Sequence, residues 1–109
     1  MPAVFRISKA KNGKYFFNLL AANGEKILRS QMYASKRTAR NGIESVRNNA
    51  GESKQFDRRR NKAGKHYFVL KAKNHQVIGT SEGYFGKSAM EKEITSVARS
   101  HSADTVDNS

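Results

Sequence analysis

Apolar and polar side chains alternate from Phe5 through Arg6, Ile7 and Ser8 to Lys9, the period of two expected of a half-buried strand. The run stops at Asn12-Gly13, and Asn-Gly is the strongest short hairpin signal because it takes the positive φ angles of a type I′ turn at little cost. A second apolar run from Lys14 to Ala22 meets another Asn-Gly at Asn23-Gly24, and a third follows from Glu25 to Ser30. The pattern predicts a three-stranded antiparallel meander. From Ser35 the period lengthens: Ala39, Ile43 and Val46 recur on one helical face, Ser35 stands as N-cap, and Asn48-Asn49-Ala50-Gly51 ends the helix.

The same plan then recurs. A shift of 51 residues aligns Phe5–Asn49 with Phe56–Ser100 without a gap, and 15 of the 45 pairs are identical, among them Phe5/Phe56, Gly13/Gly64, Phe17/Phe68, Ser30/Ser81, Tyr33/Tyr84 and Val46/Val97. The second copy replaces the two Asn-Gly pairs by Ala63-Gly64 and Asn74-His75, so His75 is expected to be a left-handed turn residue. Its helix carries Met90, Ile94 and Val97. Gly86 replaces Ser35 at the cap, while Ser88 with Glu91 offers a capping box two residues later. A unit of about 45 residues cannot hide both its strand edge and its helix stripe. The expected fold is therefore α+β: two tandem β-β-β-α(-β) repeats share one antiparallel sheet, with both helices on one face and pseudo-twofold symmetry. One domain is expected over 1–109, with repeat one at about 3–52, repeat two at 54–106 and a polar tail at 107–109.

These residues also carry a likeness. Phe5-x-Ile7, Asn12-Gly13-Lys14-Tyr15, Ala21-Ala22-Asn23-Gly24-Glu25, Tyr33-Ala34-Ser35-Lys36 and Asn41-Gly42-Ile43-Glu44-Ser45-Val46 fall in the order seen in the YegP-like family of small proteins, which the chain resembles over Phe5–Ala50 and, more weakly, over Phe56–Arg99. The resemblance implies β-β-β-α-β units, present as tandem repeats or as a homodimer, that form a single sheet with exchanged C-terminal strands. Thr105-Val106 would then be the remnant of the last strand. It implies no established activity. The chain departs from the family on the second face of strand two, where Phe16, Asn18 and Leu20 stand in place of basic residues. The helix motif is degraded in the second copy to Glu91-Lys92-Glu93-Ile94-Thr95-Ser96-Val97.

Charge changes the picture more than composition does. A net charge of +12 attracts polyanions whatever the fold. The chain has no cysteine, which excludes a disulfide scaffold or thiolate metal site and fits a reducing cytoplasm. No apolar run reaches the ~20 residues of a membrane span, so a cytoplasmic protein with no membrane partner is expected. His66, His75 and His101 do not share metal-ligand spacing, and no carboxylate cluster accompanies them. Nothing marks a nucleophile with its base, and no phosphate-loop motif is present. No metal, cofactor or catalytic residue is expected, and the chain reads as non-enzymatic.

Two surfaces remain as candidates. Lys36, Arg37, Arg40 and Arg47 lie beside the core stripe of the first helix, and Arg58, Arg59, Arg60, Lys62 and Lys65 cluster around the first strand and turn of repeat two. These nine are the expected phosphate contacts of a sequence-nonspecific nucleic-acid binder. Phe16, Leu20, Tyr67 and Val69 fall on the sheet face away from the helix stripe. There they could stack unpaired bases, or form the apolar interface of a protein-interaction or self-associating module. The expected partners are nucleic acid or another polyanion, with a second copy or an acidic protein as the alternative.

Overall fold

The computed structural model describes residues 3–21, 23–100 and 103–107. Strands β1 (Val4–Lys9), β2 (Tyr15–Leu20) and β3 (Lys26–Ser30) precede helix α1 (Lys36–Asn49); β4 (Phe56–Arg60), β5 (His66–Lys71) and β6 (Val77–Ser81) precede α2 (Lys87–Ala98), and β7 (Asp104–Asp107) follows. All seven strands form one sheet in the order β4-β5-β6-β3-β2-β1-β7. The repeats meet at the antiparallel β3–β6 pair, where Arg29 faces Thr80 between the Leu28–Ser81 and Ser30–Gly79 pairs. Arg29 and Thr80 are equivalent positions 51 residues apart, so the pseudo-twofold axis passes between them. The α+β tandem-repeat architecture is as the pattern predicts.

The core lies between one sheet face and the two helices. Phe5, Ile7, Phe17 and Leu19 from repeat one and Phe56, Phe68 and Leu70 from repeat two pack under Ala39, Ile43, Val46, Met90, Ile94 and Val97. Both predicted helix stripes are buried on this single core. Phe5 and Phe17 meet edge to face at 6.0 Å, and their counterparts Phe56 and Phe68 do so at 5.5 Å. Ser30 Oγ accepts the Phe17 N–H at 2.8 Å and Ser81 Oγ accepts the Phe68 N–H at 2.9 Å. The repeated serine thus satisfies a backbone donor that would otherwise be buried without a partner.

Three features differ from the reading of the sequence. First, the sheet is mixed, because β7 runs parallel to β1, pairing Val4 with Asp104 through Ile7 with Asp107. Repeat one supplies no matching strand: the link from α1 to β4 contains a single 3-10 turn, Ser53–Gln55, and a six-residue covalent connection cannot also lie along a sheet edge. Second, the hairpins do not use type I′ turns. In the first, the Gly13 N–H bonds to the Ala10 carbonyl and the Ala10 N–H to the Lys14 carbonyl, with Gly13 at φ +82°, a turn followed by one left-handed bulge residue. Asn12 instead accepts the Lys14 N–H through its side chain. The other three hairpins repeat the two backbone bonds, with His75 at φ 70° in the glycine's place in the last; in the 61–65 hairpin, where Ala63 stands for Asn12, Asn61 accepts the Lys65 N–H instead. Third, α2 starts at Lys87 with Gly86 as N-cap and no side-chain cap, so the Ser88–Glu91 box is not used. Ser35 caps α1 as expected and exchanges bonds with Thr38. His101 and the tail residues Asn108 and Ser109 lie outside the described residues. No helix among those described is long and apolar enough to cross a membrane.

Candidate nucleic-acid interface

The fold sorts the nine basic candidates into groups with different tasks. Lys36 and Arg40 both reach Asp107 on β7, at 3.2 and 3.6 Å. Arg47 donates to the Ala103 carbonyl at 2.6 Å and to Thr105 Oγ1 at 3.3 Å, pairs with Glu44 and lies over the Phe5 ring at 5.3 Å. Three of the four α1 cations therefore hold the last strand in place. Arg37 is exposed and has no ion pair among the described residues.

In repeat two, Arg58 points to the helix side of β4 and grips Glu91 with two bonds, at 2.6 and 3.1 Å. That pairing, set against slight desolvation, holds the Glu91 carboxyl below its usual range. Arg59 on the opposite face bonds Asp57, with Lys71 at 3.4 Å; the Arg59 bond is the main cause of a lowered Asp57 carboxyl. Arg60, Lys62 and Lys65 have no acidic partner among the described residues. Arg60 donates only to the Gly64 carbonyl, at 3.4 Å, and Lys65 lies 4.9 Å over the ring of Phe85.

Phe85 was not singled out by periodicity, because it sits in the loop before α2 rather than on a strand or helix stripe. It is 89% exposed, an unusual position for a phenylalanine. The signal was available in the repeat: its counterpart in the first copy is Ala34. The pairing of His66 with Tyr84 brings the 61–65 hairpin tip beside this loop, and Lys65 packs against Gly83, where an added Cβ would come within 3.1 Å. Arg60, His66 and Lys87 line one cleft at the same end. Cations without acidic partners and a bare ring thus converge on one corner of repeat two.

The four apolar candidates on the open sheet face do not form a bare patch. Leu20 and Val69 are buried, Phe16 and Tyr67 are half-buried, and the Arg29 guanidinium lies 4.9 Å over Phe16. Of the four, the two aromatic rings alone present area to solvent.

A separate cleft of about 610 Å³ lies between α1 and the edge of repeat two, lined by Tyr33, Asn41, Gly42, Ser45 and Gln76 among others. Tyr33 stacks on Phe17 at 6.1 Å and occupies the space that any side chain at Gly42 would need, since a Cβ there would fall 2.3 Å from the Tyr33 hydroxyl. Gly42 is thereby explained by packing. In repeat two the equivalent of Gly42 is Glu93. Tyr84 is pushed up to about 12, chiefly by burial and then by Glu93, Glu82 and Glu25. The fold favours its neutral form, so stability is full below pH 10 and is lost as pH rises toward about 12. Tyr84→Phe should reduce the stability loss between pH 10 and 12, measured by urea unfolding; an unchanged loss assigns the effect to another group.

Among the described residues no group of histidine and acidic side chains could hold a metal ion. Comparison with known proteins gives this surface its context. A family model described as a domain of unknown function, DUF1508, matches twice, at residues 10–57 and 61–107. The chain belongs to this family. The UPF0339 protein YegP of Yersinia pestis is 54% identical over 95 residues, covering 87% of this chain and 85% of that protein. The solution structure of YegP from E. coli, described as a protein of unknown function, superposes with a TM-score of 0.91 at 41% identity, covering 99% of this chain and 94% of the other. A UPF0339 protein of Shewanella oneidensis does so with the same score at 40% identity, covering 98% and 92%. The family is uncharacterised and carries no enzymatic description.

Proposed function

We propose that this protein is a non-enzymatic module that binds single-stranded nucleic acid without sequence preference, through the corner of repeat two formed by Arg60, Lys62, Lys65, Lys87 and Phe85. The observation that carries the reading is the bare Phe85 ring, 89% exposed with a lysine ammonium over it. An exposed ring costs solubility unless something stacks on it, and every base offers a π-face. Lys65 beside the ring can meet a phosphate next to a stacked base. The cations of α1 contribute less, because Lys36, Arg40 and Arg47 are engaged with β7.

Binding of a labelled 12-nucleotide strand tests this. Four phosphate contacts correspond to a salt slope near −2.8 for a single strand, so affinity should fall about fiftyfold between 50 and 200 mM salt. Phe85→Ala should cost about tenfold or more at every salt concentration without changing the slope. Lys62→Gln with Lys65→Gln should flatten the slope by about 1.4. Salt-independent binding, or a Phe85→Ala protein that binds as well as the parent, overturns the proposal.

A further inference from the structure

The pseudo-twofold axis relates β1 to β4, yet among the described residues only β1 has a strand on its outer side. β7 lies there, parallel, with Thr105 and Asp107 turned toward α1. The equivalent edge is the outer side of β4, the last strand of the sheet. Its main chain is set for pairing. Phe68, opposite Arg58, sends its N–H away from β4 to Ser81, and His66, opposite Arg60, sends its own to Tyr84. Since only alternate residues exchange bonds across an antiparallel pair, Arg58 and Arg60 turn their N–H and C=O groups outward.

The side chains along that edge differ from those around β7 in an informative way. Arg47, which covers Thr105, is replaced in repeat two by Ala98, and a cleft of about 330 Å³ opens there between β4 and α2, lined by Phe56, Ile94, Thr95 and Ala98 among others. Lys87 stands where Lys36 does, Glu91 replaces Arg40 but is held by Arg58, and Arg58 and Arg60 replace the Ile7 and Lys9 of β1. An exposed edge of this kind normally carries charge to prevent pairing with another copy; Arg58 and Arg59 are paired with Glu91 and Asp57, so the positive charge left at this edge is that of Arg60 and the neighbouring Lys87.

We propose that the outer edge of β4 binds an extended acidic segment of another protein as an eighth strand, parallel to β4. An apolar side chain of the segment enters the cleft beside Ala98, and an acidic side chain two residues later meets Lys87 and Arg60. β7 on β1 is the template, with two changes: Glu91, gripped by Arg58, stands at the Arg40 position, so Arg60 takes the part Arg40 plays toward Asp107, and the occupant is supplied from outside. Strand addition of this type takes its affinity from main-chain bonds and its selectivity from alternate side chains. Nucleic acid has no alternating N–H and C=O ladder to offer, so the main chain of the edge recognises a different chemistry from the Phe85 ring, although both sites draw on Arg60 and Lys87.

The test uses the full chain and the synthetic peptide EADLVDE, whose central residues follow Ala103–Asp107 with leucine at the Thr105 position. Titration followed by amide NMR should move the β4 signals, and saturating peptide should slow hydrogen exchange of the Arg58 amide by about tenfold or more. The same peptide N-methylated at alternate residues, and its lysine-substituted counterpart, should lose binding at least tenfold. Phe85→Ala should leave peptide binding unchanged, which separates this site from the nucleic-acid reading. Equal binding by the N-methylated peptide, shifts on β1 and β7 instead of β4, or equal protection of the Arg58 amide by an oligonucleotide overturns the proposal.

Discussion

Gly79→Leu is expected to be the most damaging single substitution in the sheet, lowering unfolding free energy by about 3 kcal/mol or more. Gly79 is buried on the core face of β6, and a Cβ there would fall 2.9 Å from the Arg29 carbonyl oxygen and 2.9 Å from Leu28 Cγ. The backbone oxygen cannot swing aside as a side chain could. Leu28 is the equivalent residue in repeat one, so two copies of one position meet near the axis, and space exists there for one leucine. Leu28→Gly alone should also cost about 3 to 5 kcal/mol, through the cavity it leaves and the flexibility of glycine in a strand. The double variant Leu28→Gly/Gly79→Leu moves the leucine to the symmetry-related position and should recover more than half of the summed loss. Urea unfolding of the four proteins reads this as a double-mutant cycle. Additive costs would show that the axis does not couple the two positions.

Arg47→Ala is expected to cost about 2 to 3 kcal/mol, well above the ±0.5 kcal/mol of an ordinary surface change. The side chain is the main clamp on β7: it bonds Ala103 and Thr105, and it covers Phe5, which is fully buried. Without it the Ala103 carbonyl loses a charged donor while Ala103 stays buried. The loss should be local as well as global. Hydrogen exchange of the β7 amides should accelerate beyond that of β2 and β5, because β7 is a four-residue edge strand attached on one side. Arg37→Ala is the control, since Arg37 is exposed in the first turn of the same helix. If the two variants unfold alike and β7 exchanges no faster in the first, Arg47 is not the clamp.

Much of the architecture was legible because the chain states it twice. Each core position in one repeat is checked by its counterpart 51 residues away, and a helix stripe such as Ala39, Ile43 and Val46 has few interpretations when Met90, Ile94 and Val97 repeat it. Local hydrogen-bond chemistry was legible in part. The glycines at 13, 24 and 64 do need a left-handed backbone, but Asn12 and Asn23 serve as side-chain acceptors for the residues two positions on, and that choice between turn types depends on how the flanking strands pair. The candidate site was least legible. Counting cations on a helical wheel cannot distinguish an arginine that meets solvent from one that grips a strand more than fifty residues later.

The sequence by itself determined the repeat, the order of strands and helices, the two buried stripes and the net positive charge, since each of these follows from local periodicity or from a sum over residues. The tertiary structure alone decided which edge β7 covers, that Leu28 and Gly79 must differ at the axis, and which cations remain without acidic partners. Each of those outcomes depends on distances between residues far apart in the chain. Sequence spacing does not encode such distances until the sheet has closed around its core.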